Sequence, residues 1–131
     1  LNFADSSENH FRFASSLESY VAKVEVQYLQ QVILNLLSNA DKFTKQGTIT
    51  LEVSVNESFI EFAVADTGCG IPLEKQQVVF DRFIKLNDFA QGTGLGLSIC
   101  KLIIQKWGGE IWVDPAYSKG ARFVFTHPIV K

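Results

Sequence analysis

Apolar residues recur at helical spacing between Tyr28 and Phe43, where Leu29, Val32, Ile33, Leu36, Leu37 and Ala40 form one broad face. Gln46-Gly47 closes that segment. The pattern then switches to alternation. Thr48-Ile-Thr-Leu-Glu-Val-Ser-Val, a turn at Asn56-Glu-Ser, and Phe59-Ile-Glu-Phe-Ala-Val-Ala-Asp66 together predict a hairpin. Phe11-Arg-Phe-Ala alternates weakly and predicts a short strand. Pro72, suited to a first helical turn, predicts a short helix through Glu74 to Val79. Phe80 to Gln91 has no sustained period and reads as a loop. Helical spacing returns from Leu95 to Trp107, with Leu97, Cys100, Ile103 and Ile104 on one side, until Gly108-Gly109 stops it. Glu110-Ile-Trp-Val and Ala121-Arg-Phe-Val-Phe-Thr-His predict two closing strands around a turn at 115–120.

Local hairpins plus two long helices predict an α+β fold. It is a two-layer sandwich in which helices cover one face of a mixed sheet. The 131 residues suffice for one domain with a substantial core. The first ten residues are polar and read as a linker remnant. Hydrophobic residues at 47% and charged residues at 20% describe a soluble globular chain, and a net charge of -2 gives no basic surplus for nucleic acid or an anionic membrane. No apolar run approaches the roughly 18 residues of a membrane span. The opening Leu1-Asn-Phe-Ala-Asp lacks the basic start and apolar core of a signal peptide, and a start at Leu1 reads as a fragment or a processed chain. Cys69 and Cys100 have neither C-x-x-C nor metal-ligand spacing, so they read as two free thiols in a reducing compartment.

The chemistry concentrates in two glycine-rich stretches. Asp66-Thr-Gly-Cys-Gly-Ile-Pro72 follows a strand, and Gly92-Thr-Gly-Leu-Gly-Leu97 runs into a helix. Glycine lets a backbone approach a ligand closely, and a helix beginning at such a loop aims free N–H groups at an anion. The second stretch therefore reads as a phosphate cradle. Asp66, at the end of an apolar run, is placed to accept a hydrogen bond from a base amino group. On the Tyr28–Phe43 helix, Gln31, Asn35, Ser38, Asn39 and Lys42 gather away from the apolar face. Taken alone that stripe reads as a solvated helix face. Beside the glycine motifs it reads as a surface for an Mg²⁺–phosphate group, which takes few protein ligands.

These motifs resemble those of the catalytic and ATP-binding domain of sensor histidine kinases, within the wider superfamily of DNA gyrase, a heat-shock chaperone and a mismatch-repair ATPase. Asn35-Leu-Leu-Ser-Asn-Ala-Asp-Lys-Phe-Thr44 is similar to the asparagine box. Asp66 to Pro72 is similar to the first glycine box, Phe80-Asp-Arg-Phe83 to the phenylalanine box, and Gly92 to Leu97 to the second glycine box. The four stand in family order, and the likeness runs from about residue 20 to 129.

The resemblance implies a catalytic set of Asn35, Asn39 and Lys42. Asn39 would ligate Mg²⁺ with Asn35 nearby, Lys42 would reach the phosphates of ATP, and Phe43 would pack beside the nucleotide. Asp66 would bind the adenine amino group, with Gly68, Gly70 and Ile71 beside the base. Residues 84–91 would form a mobile lid, with Phe80 as a clamp and Arg82 and Lys85 as its cations. Gly92, Thr93, Gly94, Leu95, Gly96 and Leu97 would hinge it and offer N–H groups to phosphate. Gyrase-like hydrolases carry glutamate where Asn35 stands, and asparagine cannot act as a general base. The implied activity is transfer of the γ-phosphoryl group to a histidine on a separate dimerisation and phosphotransfer domain. A response-regulator receiver domain would act downstream. Neither nucleic acid nor direct membrane contact is expected, and the location would be cytoplasmic with a parent protein that is often membrane-anchored.

The chain departs from the pattern in three places. His10 and His127 do not lie on a dimerising helix, so the acceptor domain is expected to be missing. The lid is short. Ala121-Arg122 stands where relatives often carry a small hydroxyl residue after the last glycine. A degenerate regulatory scaffold and a gyrase- or chaperone-type ATPase stay as alternatives.

Overall fold

The helical stripe and the alternating runs assemble as their periods require. The computed structural model describes residues 8–15, 25–81 and 96–129. Its elements are β1 (His10–Ser15), α1 (Val26–Phe43), β2 (Thr48–Val55), β3 (Phe59–Asp66), one 3-10 turn (Leu73–Lys75), α2 (Gly96–Lys106), β4 (Ile111–Val113) and β5 (Arg122–Pro128). The strands form a single five-stranded sheet in the order β1-β2-β3-β5-β4. β1 runs parallel to β2, and the other three pairings are antiparallel, so the sheet is mixed.

Register decides which face is apolar. Ile49 pairs with Asp66, Leu51 with Val64 and Val53 with Phe62, while Phe62 pairs with Phe125 and Val64 with Phe123. Directly opposed residues share a face. Ile49, Phe62, Val64, Phe123 and Phe125 therefore point one way, and they pack with Val32, Leu36, Leu37 and Ala40 of α1 and with Cys100 and Ile104 of α2. Both helices lie on that face. Phe62 and Phe125 stack with centroids 4.8 Å apart. Val32, Leu36, Ile49 and Phe125 are wholly buried, each contributing about 1.5–3 kcal/mol of hydrophobic stabilisation.

Helix α2 ends as Gly108-Gly109 predicts. Gly108 takes φ +86, its N–H bonds the Gln105 carbonyl, and the Gly109 N–H bonds the Ile104 carbonyl. This paired arrangement satisfies the last free carbonyls of a helix.

The structure differs from the sequence reading in two places. The helix expected from Pro72 to Val79 is one 3-10 turn followed by turns through Phe80, held by bonds three residues apart from Lys75 to Pro72, Gln76 to Leu73 and Val78 to Lys75. Adjacent β-branched residues at Val78 and Val79 disfavour a helix. Val79 and Phe80 are instead drawn into the core. The polar opening also stops being a linker earlier than residue 10. His10 begins β1, and the Asn9 amide donates to Asp41 Oδ1 and the Thr44 carbonyl, each at 2.8 Å, while accepting from the Gly47 N–H at 2.9 Å.

Candidate functional site

Alternation along β3 puts Ile60, Phe62, Val64 and Asp66 on the helix-covered face. The row of core side chains thus ends in a carboxylate. Asp66 is 3% exposed. Its Oδ1 accepts from the Gly68 N–H at 2.9 Å and from the Ala121 N–H at 3.0 Å. Its own N–H donates to the Ala121 carbonyl at 2.9 Å, and its carbonyl accepts from the Tyr117 hydroxyl at 2.8 Å. Among the described residues Oδ2 has no donor. Burial raises the Asp66 carboxyl above its ordinary value, against the lowering effect of the Ala121 and Gly68 N–H groups.

Asp66 opens into a cleft lined also by Asn39, Phe43, Gly70, Ile71, Ala121 and Phe123. Three separate elements bring these together: the last turns of α1, the loop after β3 and the start of β5. The loop lies tightly on the end of α1, where the Cys69 N–H donates to the Phe43 carbonyl at 3.2 Å. A Cβ on Gly68 would overlap that same carbonyl, and Gly70 takes φ +73, which favours glycine. Beside Gly68 the hydroxyl of Thr44 is buried without a hydrogen-bond partner among the described residues.

The predicted residues separate into groups. Asn39, Phe43, Asp66, Gly70 and Ile71 line one cleft, and Gly68 packs beneath its rim. Asn35 lies one helical turn before Asn39, and its Nδ2 is 3.4 Å from the Gly96 carbonyl, tying α1 to the first residue of α2. It also meets the Cys100 thiol, which burial pushes up to about 11 while the Asn35 contact pulls the other way. Lys42 is exposed at the end of α1. Among the described residues nothing stands where a side chain on Gly96 would lie, and Leu97 packs on the core. Phe80 does not line the cleft. It is buried, edge-on to Phe123 with centroids 5.9 Å apart, and so supports the cleft wall from behind. Arg82, Lys85, Gly92, Thr93, Gly94, Leu95 and the lid at 84–91 lie outside the described residues.

A family model described as histidine kinase-, DNA gyrase B-, and HSP90-like ATPase matches residues 25–131. The chain belongs to this ATPase family. Its similarity to sensor kinases is direct. It is 40% identical over 109 residues to the adaptive-response sensory kinase SasA of Gloeothece citriformis, covering 80% of this chain and 28% of that protein. It is 36% identical over 135 residues to the sensor histidine kinase WalK of Bacillus subtilis, covering 96% and 22%. The ATPase domain thus spans about a quarter of the length of each of these two relatives. Among solved structures, the nucleotide-free catalytic domain of histidine kinase ThkA superposes with TM-score 0.86 at 30% identity, covering 98% of this chain and 84% of that one. Full-length ShkA in complex with AMPPNP gives 0.86 at 29%, covering 98% and 27%. ThkA in complex with the response regulator TrrA gives 0.82 at 26%, covering 98% and 36%.

The sequence reading names as site residues neither Ala121 and Phe123, which line this ATPase domain's cleft, nor Tyr117 and Gly120, which press on Asp66. Gly120 lies so close to Asp66 that a Cβ there would overlap its carbonyl and crowd Oδ1. Its signal is a glycine before the last strand. Tyr117 carries none. The two histidines take no part in the cleft: His127 is buried against Trp107, with ring centroids 4.8 Å apart, and His10 opens the edge strand. Cys69 is a free exposed thiol and Cys100 a free buried one. Among the described residues no helix is long and apolar enough to cross a membrane.

Proposed function

We propose that residues 1–131 form the catalytic domain of a sensor kinase. This domain binds Mg-ATP and presents the γ-phosphoryl group to a histidine on a separate dimerisation and phosphotransfer domain of the same kinase. The observation that carries this reading is the Asp66 carboxylate. It is buried, lines the cleft, and takes two N–H groups on one oxygen, while the other has no donor among the described residues. An exocyclic amino group is the donor that such an oxygen needs, and Phe43, Ile71 and Phe123 supply apolar walls for a flat base.

The phosphate side follows along α1. Asn39 lines the same cleft and Lys42 lies three residues on. Among the described residues no three His, Cys, Asp or Glu groups gather to hold a metal. That donor set fits Mg²⁺, which takes one or two protein ligands and relies on phosphate oxygens and water. Asn39 would hold it, and when bound it would neutralise charge on the transferring group. Lys42 would meet the phosphates, and Gly92, Thr93, Gly94 and Leu95 would offer them N–H groups. Asn35 supplies an amide where a hydrolase needs a base, and its contact with Gly96 orients the start of α2. The domain therefore holds ATP for an acceptor and turns it over slowly when alone.

The nucleotide analogue in ShkA and the regulator bound to ThkA support ATP as the donor and a receiver domain as the downstream partner. A cytoplasmic setting belongs to the same reading. Calorimetric titration with ATP and a non-hydrolysable analogue, with and without Mg²⁺, tests it. Saturable binding that tightens with Mg²⁺ is expected, and no binding at millimolar nucleotide overturns the reading in favour of a scaffold.

A further inference from the structure

Tyr117 belongs to no glycine or asparagine motif, yet its hydroxyl reaches the main-chain carbonyl of Asp66 at 2.8 Å. The turn that carries it is fastened on itself and on the sheet. Asp114 Oδ1 accepts from the Ala116 N–H at 2.9 Å, and the Asp114 N–H donates to the Arg122 carbonyl at 2.8 Å. Arg122 Nη1 meets Asp114 Oδ2 at 3.0 Å, and its Nη2 meets Glu52 of β2 at 3.0 Å. The turn is therefore anchored across β5 and β2 before Tyr117 reaches Asp66.

Asp66 is the last residue of β3; the Thr67 N–H still bonds the Thr48 carbonyl of β2 at 3.1 Å before the chain turns into the glycine loop. A strand end is where fixed geometry is hardest to keep, because pairing continues on one side only. Here Tyr117 holds the carbonyl while Gly68 and Ala121 hold Oδ1. Burial first, and the Asp66 and Glu52 charges second, raise the Tyr117 phenol above its ordinary value, so it remains a donor at neutral pH.

We propose that Tyr117 is a positioning residue for base recognition: by holding the Asp66 carbonyl it fixes where the free carboxylate oxygen faces the cleft, and so enforces preference for a base with an exocyclic amino group. This inference rests on the reading of Asp66 as the adenine acceptor. Tyr117 is not among the residues that line the cleft; it acts through Asp66.

The test compares ATP with inosine triphosphate, which carries a 6-oxo group, by calorimetry on the 131-residue chain. Tyr117→Phe keeps the ring and removes the donor. ATP affinity is expected to fall about three- to ten-fold, the factor of one neutral hydrogen bond, while inosine triphosphate affinity holds, so the ratio between them narrows. In an Asp66→Asn background the same substitution should change nothing further. Asp114→Ala, which loosens the turn without touching the phenol, should produce a smaller loss with the same selectivity. An unchanged ratio in Tyr117→Phe, equal losses for both nucleotides, or an undiminished effect in the Asp66→Asn background overturns the proposal. If the unsubstituted chain binds neither nucleotide, the nucleotide reading itself has failed. If it binds ATP and Asp66→Asn abolishes the preference while Tyr117→Phe does not, only the role of Tyr117 has failed.

Discussion

The two ends of the cleft are built differently. At the Asp66 end the backbone and one carboxylate oxygen are held. The carboxylate takes two N–H groups, the carbonyl takes a phenol, Gly68 and Gly120 press against neighbouring backbone, and Gly70 sits in a left-handed conformation. At the Asn39–Lys42 end the side chains hang from one helix, and neither the Asn39 amide nor the Lys42 ammonium bonds another described residue. The contrast matches the two tasks. Recognition of a neutral base depends on the direction of a few hydrogen bonds, so preorganisation matters. A metal–phosphate group carries its own charge and waters, and long side chains can meet it wherever it settles. The helix itself is not loose. The Cys69 N–H and the Asn9 amide occupy carbonyls at its end, at 3.2 Å and 2.8 Å.

The largest expected effect breaks the held end. Asp66→Asn keeps an acceptor for Gly68 and Ala121 but turns a donor toward the base. Adenine nucleotide affinity should fall about ten- to a hundred-fold, the range for a hydrogen bond to a charged group, as read by calorimetry. The same variant should be more stable at neutral pH. The folded carboxyl has a raised pKa, so between its unfolded value of about 3.9 and that higher value the folded state binds more protons than the unfolded one. Stability from this group therefore falls as pH rises through the window, and ionised burial costs remain above it. Thermal melts across pH should show the Asp66→Asn gain at pH 7 shrinking toward zero below about 3.9. ATP binding to the unsubstituted chain should weaken as pH falls through the raised value.

Next in size is the loop packing. Gly68→Ala must push a methyl group into the Phe43 carbonyl, and should lower stability by about 1–3 kcal/mol, as overpacking does. Denaturant unfolding measures this, and a neutral result would mean the loop yields easily. The free end sharpens the comparison. Asn39→Ala should leave stability within about 0.5 kcal/mol and abolish the Mg²⁺-dependent part of ATP binding, leaving metal-free binding unchanged. A stability loss as large as that of Gly68→Ala would erase the distinction drawn between the two ends. The smallest effect belongs to the sheet surface. Glu52→Gln weakens a half-exposed ion pair with Arg122, and should cost no more than about 1 kcal/mol in unfolding free energy.

Much of this architecture is legible in the residue pattern. The α1 stripe names its own buried residues: Val32, Leu36, Leu37 and Ala40 all face the core. The β2–β3 hairpin and the Gly108 stop follow from alternation and turn chemistry. Asp66 is conspicuous because a carboxylate ends a row of core side chains. The 3-10 turn is not legible, because Pro72 favours a helix start, while the pull of Val79 and Phe80 into the core comes from contacts distant in sequence. The motif around Phe80 points to the ligand, and burial puts the ring behind Phe123. Tyr117 is invisible because its partner lies 51 residues away and no local pattern marks the pair.

Sequence alone determined the strands and the two long helices, the apolar face of α1, and the identity of Asn39, Asp66 and Gly70, which line the cleft. Those depend on local periodicity and on which side chains a short stretch carries. Tertiary structure decided that α1, the loop after β3 and the start of β5 meet, that both N–H groups fall on one oxygen of Asp66, and that Tyr117 grips its carbonyl. Each of these needs two segments to be brought together by packing, and the free energy of that packing belongs to the whole core rather than to any segment.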